Sequence, residues 1–107
     1  MRDKIKRIAN HYGFEKQSRH LTEECGELIQ AVNKYYRYNE GLVTRDDILT
    51  SANDVNLLIQ NIVEEIADTE IMLEQIKHLL HINPAAIDGI KENKLNRQLE
   101  RIKWEVN

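Results

Sequence analysis

The chain has 107 residues, 31% of them charged, and a formal net charge of −3, which gives no electrostatic reason to expect a nucleic acid or an anionic membrane as partner. Its single cysteine excludes an intrachain disulfide and an all-cysteine metal site. No apolar run approaches the length of a membrane span, and four glycines with one proline favour helices over turns. One domain spanning residues 1–107 is therefore expected. The single cysteine fits a reducing, cytoplasmic setting, and the opening MRDKIKRIAN lacks the apolar segment of a signal peptide.

Ile5, Ile8 and Tyr12 predict a short first helix, stopped at Gly13 by a left-handed cap. A second helix is expected from about Phe14 to Tyr36. Its apolar line, Leu21, Cys25, Leu28, Val32 and Tyr35, alternates spacings of four and three, which is a seam for packing against another helix. RYNEGLVT then breaks the pattern at Gly41. Thr44 with Asp47, and Ser51 with Asp54, offer helix starts, so a helical turn near Asp46 to Thr50 is expected before a long helix reaching about His81. That helix carries Ile59, Ile62, Ile66, Thr69, Leu73, Ile76 and Leu80 as its predicted seam. Asn83 followed by Pro84 is an N-cap with proline at the first helical position. The last helix should run to about Glu105 on Ile87, Ile90, Leu95, Leu99 and Ile102.

No segment alternates with a period of two for long enough to make a strand. The expected architecture is all-α, an antiparallel helical hairpin with flanking helices. A second broad apolar face, through Ile29, Leu58 and Val63, cannot be covered by one thin hairpin. Two hairpins packed together would cover it, so a four-helix-bundle homo-oligomer is expected, as a homodimer or a dimer of dimers.

The chemistry sits in two acidic pairs, Glu24 with Glu27 and Glu65 with Asp68, the only acidic pairs at a three-residue spacing. The number is no more than chance would give; the placement carries the argument. Gln17, His20, Glu24 and Glu27 form a stripe beside the first seam. Asn61, Glu65, Asp68 and Met72 form the matching stripe beside the second. Antiparallel packing of the two seams would bring four carboxylates to one level, where protons or cations must relieve their repulsion. Carboxylate oxygens suit Mg²⁺, with Mn²⁺ as a substitute, better than zinc. A di-iron bundle would need Glu-x-x-His pairs, and the chain has none. On the last helix Lys94, Arg97 and Arg101 form a basic stripe, with Lys91 in line, that offers donors to phosphate oxygens. Its bland reading is a solvated face balanced by Glu92 and Glu100.

LTEECGELIQA and VEEIADTEIMLEQI together resemble the MazG-like nucleotide pyrophosphohydrolases, the all-α NTP pyrophosphatase group. The likeness covers roughly Gln17 to Leu80, and IKENKLNRQLERI is similar to the basic helix of compact members. The interval between Glu27 and Glu65 is longer than is usual in that family, with the extra residues near Tyr38 to Asp54. The resemblance implies Mg²⁺-dependent hydrolysis of a nucleoside triphosphate to the monophosphate and pyrophosphate. It implies Glu24, Glu27, Glu65 and Asp68 as metal ligands. Glu23 or Glu24 would take the proton of the attacking water, Glu23 being better placed for support. Lys94 and Arg97, with Arg101, would bind the departing pyrophosphate. Gln17, His20 and Asn61 are candidates for contact with base or sugar. Tyr35, Tyr36 and Tyr38 could stack a base, although packing is the commoner role of such residues. Cys25 reads as packing and Trp104 as an oligomer contact or exposed tail. Two alternatives stand beside this reading: a non-catalytic helical interaction module, and a related hydrolase of the phosphoribosyl-ATP pyrophosphatase type.

Overall fold

The computed structural model describes residues 1–39 and 52–105. Among these the chain is all-α, in three helices: α1 (Arg2–Asn39), α2 (Ala52–Leu79) and α3 (Pro84–Glu105). Among the described residues no helix is long and apolar enough to cross a membrane. The predicted turn at Asp46 to Thr50, the break at Gly41 and the capping residues Thr44 and Ser51 lie outside the described residues.

The expected first two helices meet end to end at a kink at Gly13 and are numbered together as α1. Gly13 has φ 83° and ψ 168°. The positive φ agrees with the reading of Gly13 as a stop. The ψ does not fit a left-handed helical cap: it belongs to an extended region open essentially to glycine alone. The chain bends there and resumes its helix at once.

The other helix ends follow from local chemistry. Asn83 Oδ1 accepts a hydrogen bond from Ala85 N at 2.9 Å, and its carbonyl accepts from Ala86 N at 3.0 Å. Pro84 at the first position lacks an N–H that would otherwise need a partner, so α3 starts where the sequence predicts. At the end of α2, Ile82 N donates to Lys77 O at 2.9 Å and His81 N to His78 O at 3.2 Å. This pair of bonds is a Schellman closure, and it holds His81 at φ 54°. Glycine normally occupies that position, which is why the sequence carries no signal for the stop.

Cross-helix pairs run in opposite senses along α1 and α2. His78 Nε2 lies 2.8 Å from Asn10 Oδ1, Gln17 Nε2 donates to Gln75 Oε1 at 2.7 Å, and Thr69 Oγ1 donates to the Glu24 carbonyl at 3.4 Å. The line of α1 turned toward α2 is Gln17, Leu21, Glu24, Leu28, Ala31 and Tyr35, all buried or half-buried. Val32, expected in this line, is exposed and Ala31 takes its place.

On α2 the inward line is Leu58, Ile62, Glu65, Thr69, Met72 and Ile76, with Gln75 beside it at 2% exposure. This corrects the predicted seam. Ile59, Ile66, Leu73 and Leu80 are exposed, whereas Leu58, assigned to the outer face, is core. Two apolar lines share α2, and period alone cannot choose between them. Gln75 marks the inward side: its Oε1 accepts a hydrogen bond from Gln17 across the interface, so the line beside it faces α1. The turned seam places Glu24 and Glu65 within the interface rather than beside it.

α3 buries no residue, and its apolar line through Ile90, Leu95, Leu99 and Ile102 is exposed. The Cα radius of gyration is 18.2 Å, against about 13 Å for a compact chain of this length.

Candidate metal centre

Three carboxylates meet where the α1 and α2 seams face each other. One oxygen from each of Glu24, Glu27 and Glu65 lies within 4.8 Å of the others. Glu24 and Glu27 stand one turn apart on α1, and Glu65 comes from α2. Glu24 Oε2 and Glu65 Oε2 are buried with no hydrogen-bond partner. Orphaned anionic oxygens in an interface are costly unless something neutralises them.

The other groups fix this arrangement. His20 Nε2 lies 3.1 Å from Glu24 Oε1, hydrogen-bond distance for the tautomer protonated on Nε2. That bond orients Glu24, whose side chain is 13% exposed, and leaves its buried Oε2 without a partner. Thr69 holds the backbone of Glu24 through the carbonyl bond already described. Burial raises the carboxyl pKa of Glu65 above its ordinary value, and the negative charges of Glu27, Glu24 and Asp68 and a hydrogen bond with Glu27 add to the rise. Without a cation the crowding therefore disfavours the charged form of Glu65. The donor set itself is oxygen only, anionic and convergent, which fits a hard divalent ion of the Mg²⁺ or Mn²⁺ type.

An open groove of about 870 Å³ runs up α1 from Glu24. Gln17, His20, Glu23, Glu24 and Asp68, all singled out by sequence, line it. Asp68 is exposed and falls outside the 4.8 Å cluster, on the groove side of it. Gln17 is 4% exposed, and its Nε2 is engaged by Gln75. His20, expected to touch base or sugar, here supports a carboxylate. Asn61 is exposed on α2 and does not line the groove. Lys94, Arg97 and Arg101 are exposed on α3, and the structure does not bring them to the carboxylates. Neither Tyr35, Tyr36 nor Tyr38 lines the groove, and Cys25 is half-buried as a packing residue. Trp104 is exposed.

Sequence reasoning missed four contributors. Gln75 completes the buried amide pair; its position beside Met72 and Ile76 on the seam line was the available signal. Tyr12, Lys16 and Arg19 line the groove with His20 and Glu23. The spacing of Lys16, His20 and Glu24 by four residues marks a shared helix face. Comparison with known protein families, with curated proteins and with solved structures found no match to the chain.

Proposed function

We propose that the protein is a Mg²⁺-dependent nucleoside triphosphate pyrophosphohydrolase, releasing the monophosphate and pyrophosphate. The observation that carries this reading is the trio Glu24, Glu27 and Glu65, with two buried oxygens lacking partners, at the foot of an open groove. Glu24, Glu27 and Glu65 would hold the cation, and Asp68, on the groove side of them, would be a further carboxylate available to it. When bound, the ion supplies charge neutralisation of the phosphate oxygens and acidification of water.

The chain's own groups do the remaining work. His20 keeps Glu24 in its ligating orientation. Glu23, exposed on the groove wall, accepts the proton of the water whose oxygen attacks the α-phosphorus. The bond from that phosphorus to the bridging oxygen breaks, and pyrophosphate leaves with the bonding pair.

The assembly follows from the uncovered surfaces. The α1–α2 pair is one antiparallel helical hairpin, and a second copy completes a four-helix bundle over the exposed α2 line Ile59, Ile66, Leu73 and Leu80. The lone cysteine accords with a reducing, cytoplasmic setting.

A panel of ribo- and deoxyribonucleoside triphosphates with Mg²⁺, scored for monophosphate and pyrophosphate, tests the function. Turnover of at least one member with release of pyrophosphate is expected. Folded protein that hydrolyses none of them would refute the reading.

A further inference from the structure

The groove carries two cations that the proposed chemistry leaves idle. Lys16 and Arg19 share its wall with Glu24 and Asp68. At about 1.5 Å of rise per residue they stand about 12 Å and about 7.5 Å up the helix from Glu24. Both have long, flexible side chains that can shorten that separation.

Neither cation is locked in place. Arg19 pairs with Glu15 at 3.2 Å, but the two side chains are 78% and 85% exposed. Such a pair is weak and exchanges readily for a better acceptor. A phosphate offers that acceptor, because a guanidinium can bind two of its oxygens at once. Lys16 Nζ lies 5.2 Å from the centroid of the Tyr12 ring, and His11 packs edge-on against that ring at 4.7 Å. Tyr12 thereby acts as a positioning residue that keeps the ammonium on the groove wall.

We propose that Lys16 and Arg19 bind the β- and γ-phosphates of a polyphosphate substrate, so that the site takes its phosphate-binding cations from α1 and not from α3. The identity of the ligand rests on the pyrophosphohydrolase reading. The placement of the cations does not. In this arrangement the phosphate chain extends from the carboxylate cluster up α1, and Glu15 is displaced from Arg19 as substrate enters. The α3 stripe Lys94, Arg97 and Arg101 stands on a helix with no buried residue and off the groove wall.

The test is calorimetric binding of inorganic pyrophosphate, with Mg²⁺ present, to the full chain. The wild type, the double variant Lys16→Ala/Arg19→Ala, the variant Lys16→Arg/Arg19→Lys, and Lys94→Ala/Arg97→Ala are compared. The α1 alanine variant should bind on the order of 10-fold more weakly or worse, since two charge-assisted contacts are lost. The charge-keeping variant should recover most of the affinity, and the α3 variant should stay closer to wild type than the α1 variant does. Lys16 and Arg19 are exposed, so unchanged melting curves will separate lost binding from lost fold.

Wild-type affinity in the α1 alanine variant, or no binding by the wild type, would overturn the inference. Nucleotide turnover is read separately. Turnover combined with pyrophosphate binding indifferent to Lys16 and Arg19 would keep the function and remove this assignment. Binding that depends on both residues in a chain without turnover would keep the assignment and remove the function.

Discussion

The α1–α2 interface and α3 look alike as patterns and behave differently as structure. Both carry apolar residues at helical spacing. The interface is built from a seam interrupted by Gln17, Glu24, Glu65, Thr69 and Gln75, yet it buries Leu58 and Met72 and orders the carboxylates. The α3 line is the more purely apolar and buries nothing within the chain. Apolar periodicity therefore locates a helix but does not name its partner. The polar interruptions mark where two helices of one chain are specifically matched, because each buried polar group needs a partner.

Breaking the acidic part of the interface should have the largest effect. Glu24→Gln keeps the acceptor for His20 but removes one anionic ligand. Turnover should fall by about 100-fold or more, a loss of at least ~2.7 kcal/mol of transition-state stabilisation. Metal-free melting should stay the same or rise, since repulsion among the three carboxylates is relieved. A steady-state assay beside a melting curve in chelator checks both halves.

The apolar part sharpens the contrast. Leu58→Ala should destabilise the chain by about 2–4 kcal/mol, the usual cost of emptying a buried leucine site. That loss should be insensitive to protein concentration, since Leu58 packs within one chain. Leu73→Ala, on the exposed α2 line that the proposed bundle covers, should instead act through assembly. It should lower the melting temperature more at low protein concentration than at high, and shift sedimentation toward the smaller species.

The smallest expected effect lies at the joint between the two regions. His81 adopts φ 54° to close α2. His81→Gly removes the steric cost of that conformation, offset in part by the greater freedom of glycine in the unfolded chain. A net gain of up to about 1 kcal/mol in unfolding free energy is expected from chemical denaturation.

Much of this architecture could be read before any coordinates. Asn83–Pro84 predicted the start of α3 because a cap is local chemistry, complete within four residues. Gly13 was legible as a break because glycine has few other uses inside a helical pattern, although its ψ was not. Glu24, Glu27, Glu65 and Asp68 stand out together because each pair lies beside an apolar seam; the structure gathers the first three and leaves Asp68 outside the cluster. What escaped was rotation. Residues one position apart differ by about 100° around a helix, and α2 presents two apolar lines. The alternative lines Ile59–Ile66–Leu73 and Leu58–Glu65–Met72 separate only when the hydrogen bond that Gln75 accepts from Gln17 is known. The expected role of Lys94 and Arg97 depended on where a helix travels after its first turn, and no local signal encodes that.

The claim that three carboxylates form a cation site is tested most directly by Mg²⁺-dependent melting across pH, in the wild type and in Glu65→Gln. The carboxyl of Glu65 is held above its ordinary value of 4.5 by burial and by Glu27, Glu24 and Asp68. Its contribution to metal-free stability is full below the ordinary value and is lost as pH rises through the raised one, where folding must bury a charge. Mg²⁺ competes with that proton. Its stabilisation should therefore be small at acidic pH and grow as Glu65 ionises, reaching about 2.7 kcal/mol when Mg²⁺ is at 100 times its dissociation constant. Glu65→Gln should flatten the metal-free pH dependence and abolish most of the Mg²⁺ effect. Equal melting temperatures with Mg²⁺ and with chelator at every pH, or an undiminished Mg²⁺ effect in Glu65→Gln, would contradict the account.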